Sequence, residues 1–216
     1  MPSLFKLYTE ILLRENAKYN LTAITDPAEI QSKHFDDSLA LLDHFDISNE
    51  ANVLDIGSGA GFPGVPLKIA RPDLCVVLLD STAKKANFLR VLAEELELEI
   101  EVVCARAEEA ARQAKMREQF DIVVSRAVAP LPMLCELCLP FVKPGGVFVA
   151  YKGARERTEE ELAAAGSAIE MLGGKPRGFI SDEAAHGSRS LVFVEKISRT
   201  PAKYPRNHGA MAKKPL

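Results

Sequence analysis

No stretch of the 216-residue chain approaches the roughly 20 uncharged apolar residues that a membrane-spanning helix needs. The N-terminus, MPSLFKLYTEILLREN, carries charges throughout, so it does not read as a secretory signal. Cysteine is scarce. Cys75, Cys104, Cys135 and Cys138 sit inside apolar runs, which reads as reduced core residues of a cytoplasmic protein and not as a disulfide framework. The pair Cys135-x-x-Cys138 lacks the second ligand pair of a zinc site and falls in the apolar segment PMLCELCLPF, so it also reads as core. There is no internal repeat and no interdomain linker. What is present, 47% apolar and 26% charged residues, is ordinary for a soluble globular protein, and the length suits one α/β domain with a full core.

The net charge of −3 conceals an asymmetry. Six basic residues (Lys196, Arg199, Lys203, Arg206, Lys213, Lys214) and no acidic ones lie from Lys196 onward, so −3 overall and +6 there leave −9 on the first 195 residues. A mildly acidic body with a basic tail is therefore expected.

Periodicity organises the chain. Leu4, Leu7, Tyr8, Ile11 and Leu12 share a helical face within residues 3–19. Asp26-Pro27-Ala28-Glu29 is a helix start, with Asp as cap, Pro at the first position and Glu three residues after the cap, and the helix is expected to reach about Phe45. Strands are expected at Asn52–Ile56, Leu74–Leu79, Ile100–Cys104, Phe120–Ser125 and Gly146–Tyr151. Helices are expected at Val65–Ala70, Ala83–Leu98, Glu108–Gln119, Leu131–Phe141 and Thr158–Leu172. Lys175–Ile180 and Leu191–Ile197 close the pattern as two strands joined by the polar stretch Ser181–Arg189. This alternation implies a doubly wound, mostly parallel sheet of seven strands, with one antiparallel strand from the closing hairpin. The expected domain covers 1–216: a helical extension at 1–46, a Rossmann-like core at 51–197, and an irregular, extended tail at 198–216.

The informative segment is VLDIGSGAGFPG, Val53–Gly64. A buried strand ends at Asp55, and Gly57, Gly59 and Gly61 follow at alternate positions, where the missing Cβ permits a sharp turn and close approach to a ligand. The helix beginning near Gly64 is expected to offer its N-terminal amides to that ligand, at the carboxyl ends of the strands where open sheets bind. Gly59-x-Gly61-x-x-Gly64 formally satisfies the dinucleotide pattern, but that register starts two residues late. An acidic residue directly before the turn suits a cofactor with a cationic end and no phosphate, such as S-adenosylmethionine (AdoMet). Asp80, ending VVLLD, is placed for two ribose hydroxyls, which both cofactors possess. The residues favour AdoMet over NAD and leave both open. Ala107 and Glu108, after the third strand, are candidate adenine contacts. Arg126 is a cation at the end of the fourth strand, in the place where methylases of exocyclic amino groups carry Asn/Asp-Pro-Pro-Tyr/Phe.

The segments YNLTAITDP, KHFDDSLALL, VLDIGSGAGFPGVPLKIARP, LLDSTAKKANFLR, RAEE, FDIVVSRAVA and YPRNHGAMAKKPL together resemble the RsmG (GidB) family, from about Leu4 to Leu216. The resemblance implies a class I AdoMet-dependent methyltransferase that modifies guanine N7 in 16S ribosomal RNA. It implies AdoMet contacts at Gly57, Phe62, Ala107, Glu108 and Arg126, and matches Asp80 to the acidic ribose position of the wider fold. The family usually carries a longer segment before the first helix, a departure that concerns this helix's packing and not the site.

Guanine N7 has an in-plane lone pair and no proton to lose, so its methylation needs no general base. Positioning and electrostatics then carry catalysis, with Arg126 as the catalytic candidate. His34, Asp37 and Ser38, at i, i+3 and i+4, are expected on one helical face, and with Asn20 they are candidates for the RNA rim. Lys152 and Arg206 are further RNA candidates. N7 lies in the RNA major groove, too deep and narrow in A-form duplex for side chains, so a loop or distorted base in 16S rRNA or a small-subunit assembly particle is the expected target. The basic tail is expected to add RNA affinity. No metal is implied, and a monomer is the default. The alternatives are an AdoMet-dependent methyltransferase of another substrate, or an NAD-dependent oxidoreductase.

Overall fold

A computed structural model of the chain describes residues 3–184 and 187–216. The chain packs as two compact units, Met1–Ala105 and Arg106–Leu216. Seven strands contribute to the sheet, in the order β3-β2-β1 in the first unit and β4-β5-β7-β6 in the second.

The first unit begins with helix α1 (Ser3–Tyr19), whose Phe5, Tyr8, Ile11 and Leu12 are buried. Asp26 caps the next helix as expected: its side chain accepts the Glu29 N–H at 2.9 Å and Pro27 stands at the first position. The Glu29 carboxylate does not complete a reciprocal box and instead pairs with Lys33 at 2.5 Å. The single helix expected to run to Phe45 is three pieces: α2 (Pro27–Ile30), a π-helical turn (Gln31–Asp36) and α3 (Asp37–His44). Strands β1 (Asn52–Ile56), β2 (Cys75–Asp80) and β3 (Ile100–Cys104) are parallel, in a register that pairs Asp55 with Leu78 and Asp80 with Cys104. Helices α4 (Gly64–Ala70) and α5 (Ala83–Glu95) separate them. Strand β1 is buried from Val53 to Ile56, as a parallel strand covered on both faces must be.

The second unit holds α6 (Ala107–Ala110), β4 (Phe120–Arg126), α7 (Leu131–Cys138) with a 3-10 turn (Leu139–Phe141), β5 (Val142–Lys152), α8 (Arg155–Met171), β6 (Gly174–Ala184), β7 (Gly187–Lys196) and α9 (His208–Lys213). β4 and β5 are parallel, and β7 runs antiparallel to both β5 and β6. The sheet is thus mostly parallel with one reversed strand, as the alternation implied. The stretch expected to connect the last two strands is largely absorbed into them, with Ser181 paired to Ser190 and Asp182 to Arg189. Residues 185 and 186 of that connection lie outside the described residues.

Three expectations are corrected. The helix expected over Glu108–Gln119 ends at Ala110, because the chain turns there: Arg112 and Gln113 donate to carbonyls three residues back. Cys135 and Cys138 are core, but Cys75 and Cys104 are exposed. Burial pushes the Cys135 thiol up to about 12, which keeps it protonated and inert. The tail is neither irregular throughout nor extended. Arg206 forms a forked pair with the buried Glu136, at 2.9 Å through Nε and 2.6 Å through Nη2, and its backbone N–H donates to the same carboxylate at 2.7 Å. Arg117 donates to the carbonyls of Thr200 (2.8 Å) and Tyr204 (3.0 Å), and Asn207 caps α9. Of the tail's cations, Arg206 is neutralised by a buried carboxylate, whose pairing raises its pKa above the ordinary value, and Lys196 is fully buried at the end of β7.

Lys196 donates to the carbonyls of Leu139 (2.8 Å) and Leu172 (3.1 Å) and to the Thr200 hydroxyl, which close the end of the unit. Burial drives its pKa from 10.5 to about 8, against the opposing pull of Glu118 at 3.8 Å. Between about 8 and 10.5 the unfolded chain binds a proton that the folded chain lacks, so this lysine's contribution to stability rises with pH across that window. Urea unfolding of the wild type and Lys196→Met at pH 8 and pH 10.5 is expected to show the difference moving on the order of 2 kcal/mol in the wild type's favour. A flat or falling difference contradicts the assignment.

Candidate active site

The glycine loop joins β1 to α4 and is built by local constraints that require glycine. Gly57, Gly59 and Gly61 have φ of 73°, 58° and 98°. The amides of Gly57 (2.8 Å) and Ser58 (3.3 Å) donate to Leu79 O, so the loop starts tied to the end of β2. A Cβ on Gly61 would fall 2.5 Å from the Tyr8 hydroxyl oxygen and 3.0 Å from Val65. A Cβ on Gly64 would fall 2.5 Å from Leu78. A Cβ on Gly59, by contrast, would meet only Gly57 O, at 3.7 Å. Gly61 and Gly64 are therefore required by the protein's own packing, whereas the loop at Gly59 stands open.

The helix N-terminus does not serve a ligand in the way the sequence suggested. Asp55 is fully buried, and its Oδ2 accepts the Gly64 N–H at 2.9 Å. The Val65 N–H donates to Gly61 O, and Pro63 and Pro66 have no N–H. The amides that would cradle a pyrophosphate are engaged, and a carboxylate already sits against the positive end of the helix. A phosphate there would meet like charge.

Asp80, 5% exposed, closes the other side of the turn. Its Oδ2 accepts the Gly59 N–H at 3.0 Å and its Oδ1 the Thr82 N–H at 2.8 Å. Each oxygen has a second lone pair, so this arrangement holds the carboxylate still while leaving acceptor capacity for two hydroxyls. The donor and acceptor set fits AdoMet, with diol acceptors at Asp80, an open backbone face at Gly59 and no phosphate cradle.

Aromatic side chains hold the loop's far end. Phe62 stacks on Tyr8 (centroids 5.3 Å apart) and on His34 (4.5 Å). The Tyr8 hydroxyl donates to Ala60 O at 2.5 Å. The first helix therefore supports the site directly, against the expectation that separated the two. The signal was available: a tyrosine on the apolar face of a helix must find a partner for its hydroxyl when buried.

His34 lies in the π turn, with Nε2 2.9 Å from the Thr22 hydroxyl, while Asp37 and Ser38 open α3. The three are thus not successive positions of one α-helical face. Ser38 is buried and donates to His34 O at 2.5 Å, so it braces the turn and is not presented to a partner. Asn20 is exposed and left-handed at φ 51°, ending α1. In the second unit, Ala107 and Glu108 open α6, and Glu108 Oε1 accepts from Arg106 Nε at 3.1 Å. Arg126, half-buried, ends β4 opposite Tyr151 and is followed by Ala127 at φ 58°. Lys152 is not presented at a rim, because its ammonium is held by Ala129 O (2.9 Å) and Glu161 (2.6 Å). Among the described residues no group of acidic, histidine and cysteine side chains forms a metal site.

A family model described as GidB, rRNA small subunit methyltransferase G, matches residues 1–191. The chain belongs to the GidB family. The ribosomal RNA small subunit methyltransferase G of Lachnoclostridium phytofermentans is 47% identical over 98% of this chain and 88% of that protein. Its counterpart from an Exiguobacterium species is 46% identical over 99% and 90%. Among solved structures, an O-methyltransferase from Bacillus cereus in complex with SAH superposes with a TM-score of 0.61 at 19% identity, covering 90% of each chain. A putative O-methyltransferase from Klebsiella pneumoniae gives 0.62 at 14%, covering 92% of this chain and 91% of that one. The fold is that of the class I methyltransferases, and this GidB-family chain is an AdoMet-dependent methyltransferase. That removes the NAD-dependent oxidoreductase.

The two kinds of glycine make a prediction. Gly59→Ala is expected to cost only about 1 kcal/mol, the left-handed penalty for a residue with a Cβ. Gly61→Ala adds a clash with Tyr8 and is expected to cost roughly 2–4 kcal/mol. Urea unfolding of both variants checks the order, and equal stabilities would contradict the Tyr8 contact.

Proposed function

We propose that this chain transfers the methyl group of AdoMet to the N7 of a guanine in 16S rRNA, acting as a cytoplasmic monomeric domain on the rRNA or a small-subunit assembly particle. AdoMet, when bound, supplies an electrophilic methyl on a sulfonium. The protein's part is to orient. Asp80 accepts from the ribose hydroxyls, Gly57 and Gly59 let the backbone approach, Gly61 and Phe62 hold the loop in place against Tyr8 and His34, and Ala107 and Glu108 contact the adenine. Arg126 holds an anionic group, the methionine carboxylate or a guanosine phosphate, in line for displacement.

The observation that carries the choice of acceptor is Arg126 at the end of β4. A guanidinium cannot accept a proton, and this suits an acceptor that attacks with a lone pair and has no proton to lose. The chemistry of the relatives' name, ribosomal RNA small subunit methyltransferase G, supports the same acceptor class. Of the residues proposed for RNA, Asn20, His34 and Asp37 remain candidates for the rim. In the tail the exposed Lys203, Lys213 and Lys214 take the place given to Arg206.

The test is methyl incorporation from labelled AdoMet into 16S rRNA, free and in 30S particles, with mapping of alkali-labile 7-methylguanosine. Label at one guanine is expected for the wild type, and turnover reduced by about 100-fold or more for Arg126→Ala. A weakened AdoMet Kd in that variant would assign Arg126 to the cofactor carboxylate, and an unchanged Kd to the guanosine. Label that is not 7-methylguanosine would overturn the proposed acceptor, and near-normal turnover would overturn the role of Arg126.

A further inference from the structure

The segment between Arg126 and α7 is four residues long, Ala127-Val128-Ala129-Pro130, and holds an unfavourable conformation at its start: Ala127 is left-handed at φ 58°. Val128 is 41% exposed, one of the few large apolar side chains so placed among the described residues. The helix that follows has no cap of its own. Its N-cap residue, Pro130, offers no side-chain hydrogen bond, and Pro132 has no N–H. The Leu131 N–H is therefore an orphan that local sequence cannot satisfy.

Two residues distant in sequence supply what is missing. Glu161, on α8, accepts the Leu131 N–H on Oε2 at 2.8 Å. Lys152, the last residue of β5, donates to the same Oε2 at 2.6 Å and to Ala129 O at 2.9 Å. Arg157 adds a longer contact to Glu161 Oε1, at 3.3 Å. Lys152 and Glu161 are 11% and 16% exposed, so neither side chain is free to wander in solvent. Burial opposes ionisation of Glu161, but the hydrogen bonds from Lys152 and Leu131 outweigh it and hold the carboxyl below its usual range. The carboxyl stays charged. Arg126 is itself anchored in the ladder opposite Tyr151, next to Lys152. Both ends of the short loop thus refer to the end of one strand, β5.

We infer that Lys152 and Glu161 are positioning residues for methyl transfer: together they lock the Arg126–Pro130 loop so that Arg126 and Val128 are held toward the target guanosine. This rests on the reading that Arg126 serves the reaction. It replaces the RNA contact that sequence alone suggested for Lys152. Strain at a functional loop persists only where the surroundings over-determine it, and the lysine–glutamate pair is that over-determination.

The test uses the full chain. Lys152→Met removes the ammonium shared by Ala129 O and Glu161 and leaves Glu161 the Leu131 N–H and Arg157, Lys152→Arg restores a cation, and Ile169→Ala in the core of α8 serves as a variant destabilised away from the loop. For Lys152→Met we expect kcat to fall between about 10- and 100-fold, as misplacement of an orienting group does, with AdoMet Kd unchanged and Lys152→Arg recovering most of the loss. Amide exchange at Leu131, flanked by two prolines and so isolated in sequence, is expected to quicken in Lys152→Met and not in Ile169→Ala. Turnover in Lys152→Met no lower than in Ile169→Ala, or unchanged Leu131 exchange, overturns the inference. If Arg126→Ala is inactive while Lys152→Met is normal, the inference alone fails. If Arg126→Ala turns over normally, the underlying reading fails.

Discussion

A buried carboxylate bonded to one backbone amide sets the character of the cofactor site. Asp55 is the penultimate residue of β1, a strand covered on both faces, and its side chain is fully buried. It is stabilised by the Gly64 N–H and by the positive end of the helix that Gly64 opens. That contact ties the start of α4 to β1 and supplies, from within the protein, the negative charge that a phosphate would otherwise bring. The ligand that remains compatible with the turn has hydroxyls for Asp80 and carries no phosphate at the helix end. Family membership and this geometry arrive at the same cofactor from different directions.

The loop itself is held by parts of the first unit that have no share in the glycine pattern. Tyr8 bonds Ala60 O and stacks on Phe62, and His34 stacks on the same ring from a π-helical turn. A π turn inside a helix is uncommon and is often found at functional sites. Here it carries His34, while Asp37 and Ser38 begin the next α-helical piece and the Ser38 hydroxyl bonds back to His34 O. In the second unit the same logic recurs at the end of β4. The loop after Arg126 takes its order from Lys152 and Glu161 and not from its own sequence.

What could be read from the sequence was what local pattern determines. The strands were legible because buried parallel strands are short apolar runs bounded by turn residues, and the Asp26 cap was legible because its partner is three residues away. The glycine turn was legible because positive φ at alternate positions demands glycine. What could not be read depends on partners far along the chain. Glu136 and Arg206 are 70 residues apart, and the tail looked like a solvated basic terminus until its arginine met that buried carboxylate. Arg117 reaches the Thr200 carbonyl across 83 residues, and the helix expected through that arginine gives way to turns. The charge asymmetry that first suggested an RNA-binding tail is accordingly reduced: Lys196 is core and Arg206 is paired, which leaves Arg199, Lys203, Lys213 and Lys214 as its exposed cations.

The turn from β1 to α4 is built for a cofactor with a ribose and without a phosphate at the helix end. Isothermal titration of the full chain with AdoMet, S-adenosylhomocysteine and NAD tests it directly. Saturable binding of the first two and no heat with NAD is the predicted result. Binding of NAD in competition with AdoMet would contradict it.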